Sequence, residues 1–293
     1  VFIKDVAGMV ELNNREFTVA GATTNTFQLS GIDGSAFTAY SSGGTSGKIV
    51  EVTTTYTEAQ VFELNHVQSA DVLYLAHKDH EPAKLTRTTA TSFTLTDIDF
   101  VDGPWLDENT TDTTMYFSAE TGTVTVTASA DVFSSDDVGR FIRTREILEI
   151  VHDEWAANTS YADNATVRFN GHVYKNVTGS TQTSGNTAPV HLSGTETYGN
   201  IDWEYRHDEF GHVRITAFTS ATVVTAVAHE DQYGNSIIPD SSVGSVNANT
   251  RWSLGAFGGD QGYPRAVAFY EERLYFAGTT GQPQTIFGSQ TAD

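Results

Sequence analysis

Residues 250–293 read TRWSLGAFGGDQGYPRAVAFYEERLYFAGTTGQPQTIFGSQTAD, and the middle of this stretch sets the fold class. Ala266, Ala268 and Tyr270 alternate with Val267 and Phe269, the period-two pattern of a strand whose two faces meet different surroundings. Polar Glu271, Glu272 and Arg273 interrupt the pattern, and Leu274-Tyr275-Phe276-Ala277 resumes it before Gly278 stops it. Two β-rich runs joined by a short polar turn predict a hairpin, entered here through the tight turn Gly262-Tyr263-Pro264. We read residues 249–293 as the start of a further, propeller-like β-domain.

Working outward, the same signal recurs along the chain: Thr, Val, Ser and aromatic residues dominate, with turn residues about every 8 to 12 positions. The predicted class is all-β, several small barrel or sandwich modules in series. Residues 1–52 read as a small β-barrel module with strands at Val1-Phe2-Ile3, Arg15 to Val19, Thr26 to Leu29 and Lys48 to Val52, and a loose loop at Ser41-Ser42-Gly43-Gly44. Residues 53–116 read as a β-meander, with strands Asp71 to His77 and Ser92 to Thr96 around a turn at His77 to Pro82. Residues 117–152 and 206–248 are the halves of one split β-domain, through Gly122 to Thr127, Asp137 to Arg143, Gly211 to Thr216 and Thr222 to Val227. Between the halves lies an insert, 153–205, in which Asn170-Gly171 is the type I′ hairpin pair. Helical candidates are brief: Thr57 to Leu64, and Ser135 to Arg143 with Ser135-Asp136-Asp137 as its cap.

The 293 residues carry 16 Lys+Arg against 37 Asp+Glu, a formal net charge of −21. A protein that grips nucleic acid through its phosphates needs a basic stripe, and no run of Lys or Arg occurs here. Any contact with DNA is therefore expected to be non-adhesive. The 39% hydrophobic content suffices for ordinary cores, so the acidity is assigned to solvated surfaces rather than to disorder. Absence of Cys excludes disulfides, thiolate catalysis and Cys-based zinc sites. No run of 18 apolar residues and no charged-then-apolar leader is present, so no membrane span or signal peptide is expected. The chain reads as a piece of a longer polypeptide, or a processed one.

Three resemblances follow. Tyr263 to Thr285, YPRAVAFYEERLYFAGTTGQPQT, resembles the signature of the tail nozzle (tail tubular protein B-like) proteins of short-tailed bacteriophages, and Tyr56 to Gln60, Gln68 to Asp71, Pro82 to Arg87 and Asp102 to Asn109 resemble the same family. That resemblance implies a virion structural protein in the phage tail: a homo-oligomer, usually a hexameric ring, joined to a tail adaptor above and tail fibre proteins at its side, with DNA passing through non-specifically. Val6 to Arg15 with Phe17 to Val19 and Thr26 to Leu29 resembles the first catalytic cysteine half-domain fold of ubiquitin-activating enzymes; without Cys or an adenylation loop, only the scaffold is implied. Trp155, Tyr161, Val167, Asn170-Gly171 and Tyr174, spaced W-x5-Y-x5-V-x2-N-G-x-x-Y, resemble a chitin-binding-type carbohydrate module. It implies that Trp155, Tyr161 and Tyr174, with Trp203 and Tyr205, stack on sugar rings, a host surface glycan among them. The competing reading of these five aromatics is that they build the insert's own small core.

No catalytic constellation emerges. His77-x-Asp79-His80 offers imidazole and carboxylate donors but no converging third ligand, and is read as a solvated turn. Asp97, Asp99, Asp102, Asp107, Glu108 and Asp112 lack the spacing of a calcium loop and are read as a surface acidic face. Gly43-Gly44-Thr45-Ser46-Gly47-Lys48 has the wrong spacing for a phosphate loop, and Ile49 stands where a hydroxyl is required. The expectation is a non-enzymatic protein without cofactor or metal, structural in the tail, with a modular carbohydrate-binding protein acting through 153–205 as the alternative.

Overall fold

The computed structural model describes residues 1–290, which divide into two compact units: Val1–Thr55 with Thr86–Leu95, and Tyr56–Leu85 with the residues from Thr96 on. The described structure is all-β, its helices limited to single turns.

In the first unit Phe2–Ala7 lies between Arg15–Glu16 and Ser42–Gly47, both antiparallel to it, and Val19–Ala20 pairs with Gln28–Leu29. Ile3, Val6 and Phe17 are its buried core, with Met9, Leu12 and Leu29 packed around them. Of the loop expected at Ser41–Gly44, the residues from Ser42 on are instead part of a strand, and Lys48 to Val52 forms none. Glycine explains the difference. Gly43 has φ +70, and a Cβ there would stand 2.9 Å from the Asp5 carbonyl, so only glycine lets the two backbones close. The pairing rests on backbone approach rather than on apolar alternation, and all six residues of Ser42–Gly47 remain exposed.

The second unit includes sheets of six, five and three strands. Six antiparallel strands run in the order Met115–Phe117, Thr123–Ala128, Val223–His229, Phe210–Ser220, Phe141–Arg145, Trp252–Leu254. Alternate residues of these strands, among them Phe117, Val124, Val126, Ile142, Val213, Ile215 and Val224, fill one apolar core. Five strands, Asp153–Glu154, Thr166–Phe169, His172–Asn176, Ile201–His207 and Thr195–Tyr198, form the sheet of the insert. Its first pair is parallel and the others antiparallel. Asn170 and Gly171 have φ 52 and 79 between Phe169 and His172, the left-handed pair that a two-residue hairpin demands.

Ala266–Tyr270, Arg273–Ala277 and Ile286–Gly288 make a three-stranded antiparallel sheet, so the hairpin that decided the fold class is present with Tyr270 opposite Arg273. Val267 and Phe276 pack with Ala76, Tyr74 and Phe257, and Val267 N donates to Asn65 Oδ1 at 3.1 Å. The turn residues Glu271 and Glu272 both lie at positive φ, 47 and 62. Each left-handed L-residue costs about 1 kcal/mol that Asn or Gly avoids. Glu271→Asn with Glu272→Gly is expected to raise stability by about 1 kcal/mol or more, read from a urea midpoint; an unchanged midpoint would contradict the strain assigned to this turn.

Two short elements depart from their sequence reading. Thr57 to Leu64 yields one helical turn, Glu58–Val61, whose Thr57 cap and Gln60 form a capping box. Ser135 to Arg143 is not a helix: after the turn Ser135–Asp137, capped by Ser134, the chain turns at Gly139 (φ +95) and enters the strand Phe141–Arg145. Gly139 N donates to Ile215 O and Ile215 N to Arg140 O, so sheet pairing draws this segment out of any helix. Asp137 and Arg140 are buried here as an ion pair of 2.7 Å, with Arg140 Nε donating to Gly255 O and Ser134 N to Asp137 Oδ2.

Candidate functional site

The insert leaves and rejoins its host sheet at one place. Phe141–Arg145 ends beside the start of Phe210–Ser220, with Arg145 opposite Phe210, and Glu146 N donates to Glu209 O at 2.8 Å. From Glu146 a helical turn, Leu148–Val151, leads to His152 and the insert's first strand; the insert's strand Ile201–His207 returns the chain. Three buried polar side chains meet at this double crossing: Glu146, His152 and His207. His152 Nε2 donates to Glu146 Oε2 at 2.8 Å and its Nδ1 accepts from Thr166 Oγ1 at 2.8 Å, a set of partners that one neutral tautomer satisfies. His207 Nε2 lies 3.6 Å from Glu146 Oε2. Glu146 Oε1, His207 Nδ1 and Ser241 Oγ are buried without a hydrogen-bond partner.

Burial pushes the Glu146 carboxyl up, but the hydrogen bond from His152, the His207 ring and the nearby Ser241 hydroxyl outweigh it and hold the group below its ordinary value. Burial drives His207 down to about 4 against the pull of the Glu146 carboxylate, so its imidazole is neutral near pH 7. The crossing thus combines an ionised carboxylate with a neutral ring, both buried. Nothing in the sequence spacing signals this cluster, because its members stand 6 and 55 positions apart and only the closure of the insert unites them.

The five aromatics of the insert are placed differently. Tyr161, Tyr174, Trp203 and Tyr205 form its buried core around Val167 and Ile201, with Tyr161 edge-on to Trp203 at 5.3 Å and Tyr174 edge-on to Tyr205 at 5.9 Å. Tyr174 Oη donates to His191 O, and burial pushes its phenol up to about 12. Trp155 stands half-buried against Phe169, its ring centroid 5.9 Å away. Every second residue of Ile201–His207 is buried, which turns Trp203 and Tyr205 to the same inner face.

The turn at His77 to His80 is solvated at Lys78 and Asp79 as expected, but His77 is 1% exposed, its ring 5.2 Å from His80, and Tyr56 meets the edge of His80 at 4.8 Å. His77 begins this enclosure because Val72–His77 carries it inward at the end of a half-buried strand, a position that the polar Lys78-Asp79 neighbours conceal in sequence. Asp97, Asp99, Asp102, Asp107, Glu108 and Asp112 are all exposed. An open cleft of about 510 Å³ lies within the second unit, walled by Phe100, Phe257, Phe276 and Phe287 with Ile98 and Pro104. Among the described residues no helix is long and apolar enough to cross a membrane.

Comparison with known families gives one finding. Residues 7–108, about a third of the chain, match the model of a family described as phage tail tube protein, TTP. No curated protein matches the chain. The family match supports a structural component of a phage tail and places it in the virion tail.

Proposed function

We propose that this protein is a subunit of the ring-shaped nozzle that closes a short phage tail and through which DNA is ejected. The observation that carries the reading is the tail-tube match over residues 7–108, joined to the nozzle-like stretches at Tyr263 to Thr285 and Tyr56 to Asn109. Its chemistry suits such a part. A chain of −21 formal charge without a basic run repels the phosphate backbone, and a conduit lined by it lets DNA slide without sticking. Small β-modules in series offer several faces for ring closure around a symmetry axis. The ring's neighbours on this reading are an adaptor above and fibres at the side.

Light scattering and negative-stain imaging of the full-length protein, alone and with its tail partners, test the proposal. Rings of about six subunits, the number that the nozzle resemblance implies, are expected; a chain that stays monomeric under every combination would overturn it, as would a ring whose channel wall is basic.

A second reading, glycan binding by the insert, rests on Trp155. Of the five aromatics assigned to a sugar platform it is the one that is only half-buried, so binding would pass through this ring while Tyr161, Tyr174, Trp203 and Tyr205 support it from the core. Retention on chitin or host polysaccharide that Trp155→Ala abolishes would favour it, and equal retention of both forms would discard it.

A further inference from the structure

The two crossings between insert and host raise a question of charge. A carboxylate with no exposed surface costs several kcal/mol unless it is paired and its oxygens are satisfied. Glu146 is 0% exposed, receives one hydrogen bond from His152 on Oε2, and leaves Oε1 without a partner. His207, also buried, leaves Nδ1 without one and faces the same carboxylate across 3.6 Å, too far for a hydrogen bond. Three potential ligand atoms, one from each side chain, lie within 4.8 Å of one another.

These separations approach the dimensions of a cation site. Ligands bonded to one tetrahedral ion at about 2.0–2.1 Å stand about 3.4 Å apart, close to the separation of Glu146 from His207. His152 Nε2 need withdraw from Glu146 Oε2 by only about half an ångström to match it. Its ring is already oriented from behind, since Nδ1 would then donate to Thr166 Oγ1, the supporting bond that metal-bound imidazoles characteristically make. The buried Ser241 hydroxyl stands close enough to Glu146 to draw its carboxyl down, yet outside the geometry of a full hydrogen bond.

We propose that Glu146, His152 and His207 bind a divalent cation of the zinc class, which locks the insert onto its host sheet. Two imidazole nitrogens and one carboxylate oxygen suit zinc and its transition-metal neighbours, whereas calcium and magnesium prefer shells of oxygen. One ligand precedes the outgoing crossing, one enters the insert and one leaves it, so a single ion ties together both chain passages. Its positive charge would neutralise the buried carboxylate and engage His207 Nε2, the ring nitrogen that faces it without a hydrogen bond. This role is structural and independent of whether the assembled protein forms a nozzle.

The test uses full-length protein without a histidine tag, stripped with chelator and titrated with zinc chloride. One zinc per chain is expected by elemental analysis after desalting, with a rise in Tm of about 5 °C or more at a hundredfold excess over the dissociation constant. Cobalt in place of zinc is expected to give the visible absorption of a four- or five-coordinate site. His207→Gln and Glu146→Gln should each abolish the stoichiometric ion and the Tm response. Because a variant may misfold, the wild-type titration stands alone: stripped wild type that takes up no zinc and keeps its Tm overturns the proposal. So does a folded His207→Gln protein, verified by its circular dichroism, that still retains one zinc per chain.

Discussion

Trp203→Ala is expected to lower the stability of the insert by about 3–5 kcal/mol. The indole is fully buried at the centre of the insert's core, edge-on to Tyr161 and flanked by Val167 and Ile201. Its loss removes the largest apolar body of a small module and leaves a cavity that the neighbouring rings, held by the sheet and by hydrogen bonds such as Tyr174 Oη to His191 O, cannot fill. The loss should be local first, because a module with its own core can open by itself. Amide hydrogen exchange along His172–Asn176 and Ile201–His207 should therefore accelerate, while protection along Thr123–Ala128 is kept. Trp203→Phe separates packing from polarity: the indole Nε1 is buried without a partner, so phenylalanine removes an unsatisfied donor as well as some volume and should cost much less than alanine. Unchanged exchange in Trp203→Ala would mean that this ring does not hold the insert together.

Asp137→Ala is the second large effect, expected at about 3–5 kcal/mol. Both members of the Asp137–Arg140 pair are buried, at 3% and 5% exposure. Removing the carboxylate leaves the guanidinium, among the described residues, with the hydrogen bond to the Gly255 carbonyl but no ion-pair partner, and takes away the acceptor that satisfies Ser134 N. The cost comes from the unpaired charge more than from the lost attraction, and a double substitution exposes the difference. Asp137→Ala combined with Arg140→Met should be more stable than Asp137→Ala alone in urea unfolding, since no charge is left uncompensated. If the double variant is the weaker, the pair contributes by geometry, for instance by holding Gly259, where a Cβ would come within 2.1 Å of Asp137 Oδ1.

What could be read from the residues was what depends on neighbours in sequence. Alternation announced Thr123–Ala128 and the hairpin Ala266–Ala277, and Asn170-Gly171 announced its turn, because side-chain period and left-handed backbone are written locally. Ser42–Gly47 escaped because its pairing with Phe2–Ala7 turns on the close backbone approach at Gly43, opposite Val6, which no apolar pattern records. Ser135 to Arg143 misled because its cap was genuine but one turn long, and sheet pairing through Arg140 and Ile215 decided the rest. The aromatics of the insert were found as residues, yet their spacing is equally that of a platform and of a core; burial separates the two for Tyr161, Tyr174, Trp203 and Tyr205. Glu146, His152 and His207 had no signature at all, since their meeting is a property of the insertion and not of any segment.

The double crossing also has a mechanical meaning. Both tethers of the insert emerge from the same end of two adjacent antiparallel strands, Arg145 beside Phe210. A pull along the strands moves this pair together and loads its outer neighbours, Val223–His229 on one side and Trp252–Leu254 on the other, in shear, so that many ladder bonds share the force. A sideways pull instead parts Arg145 from Phe210 and opens the ladder rung by rung. The insert is therefore a handle that is stiff along one axis and yields across it.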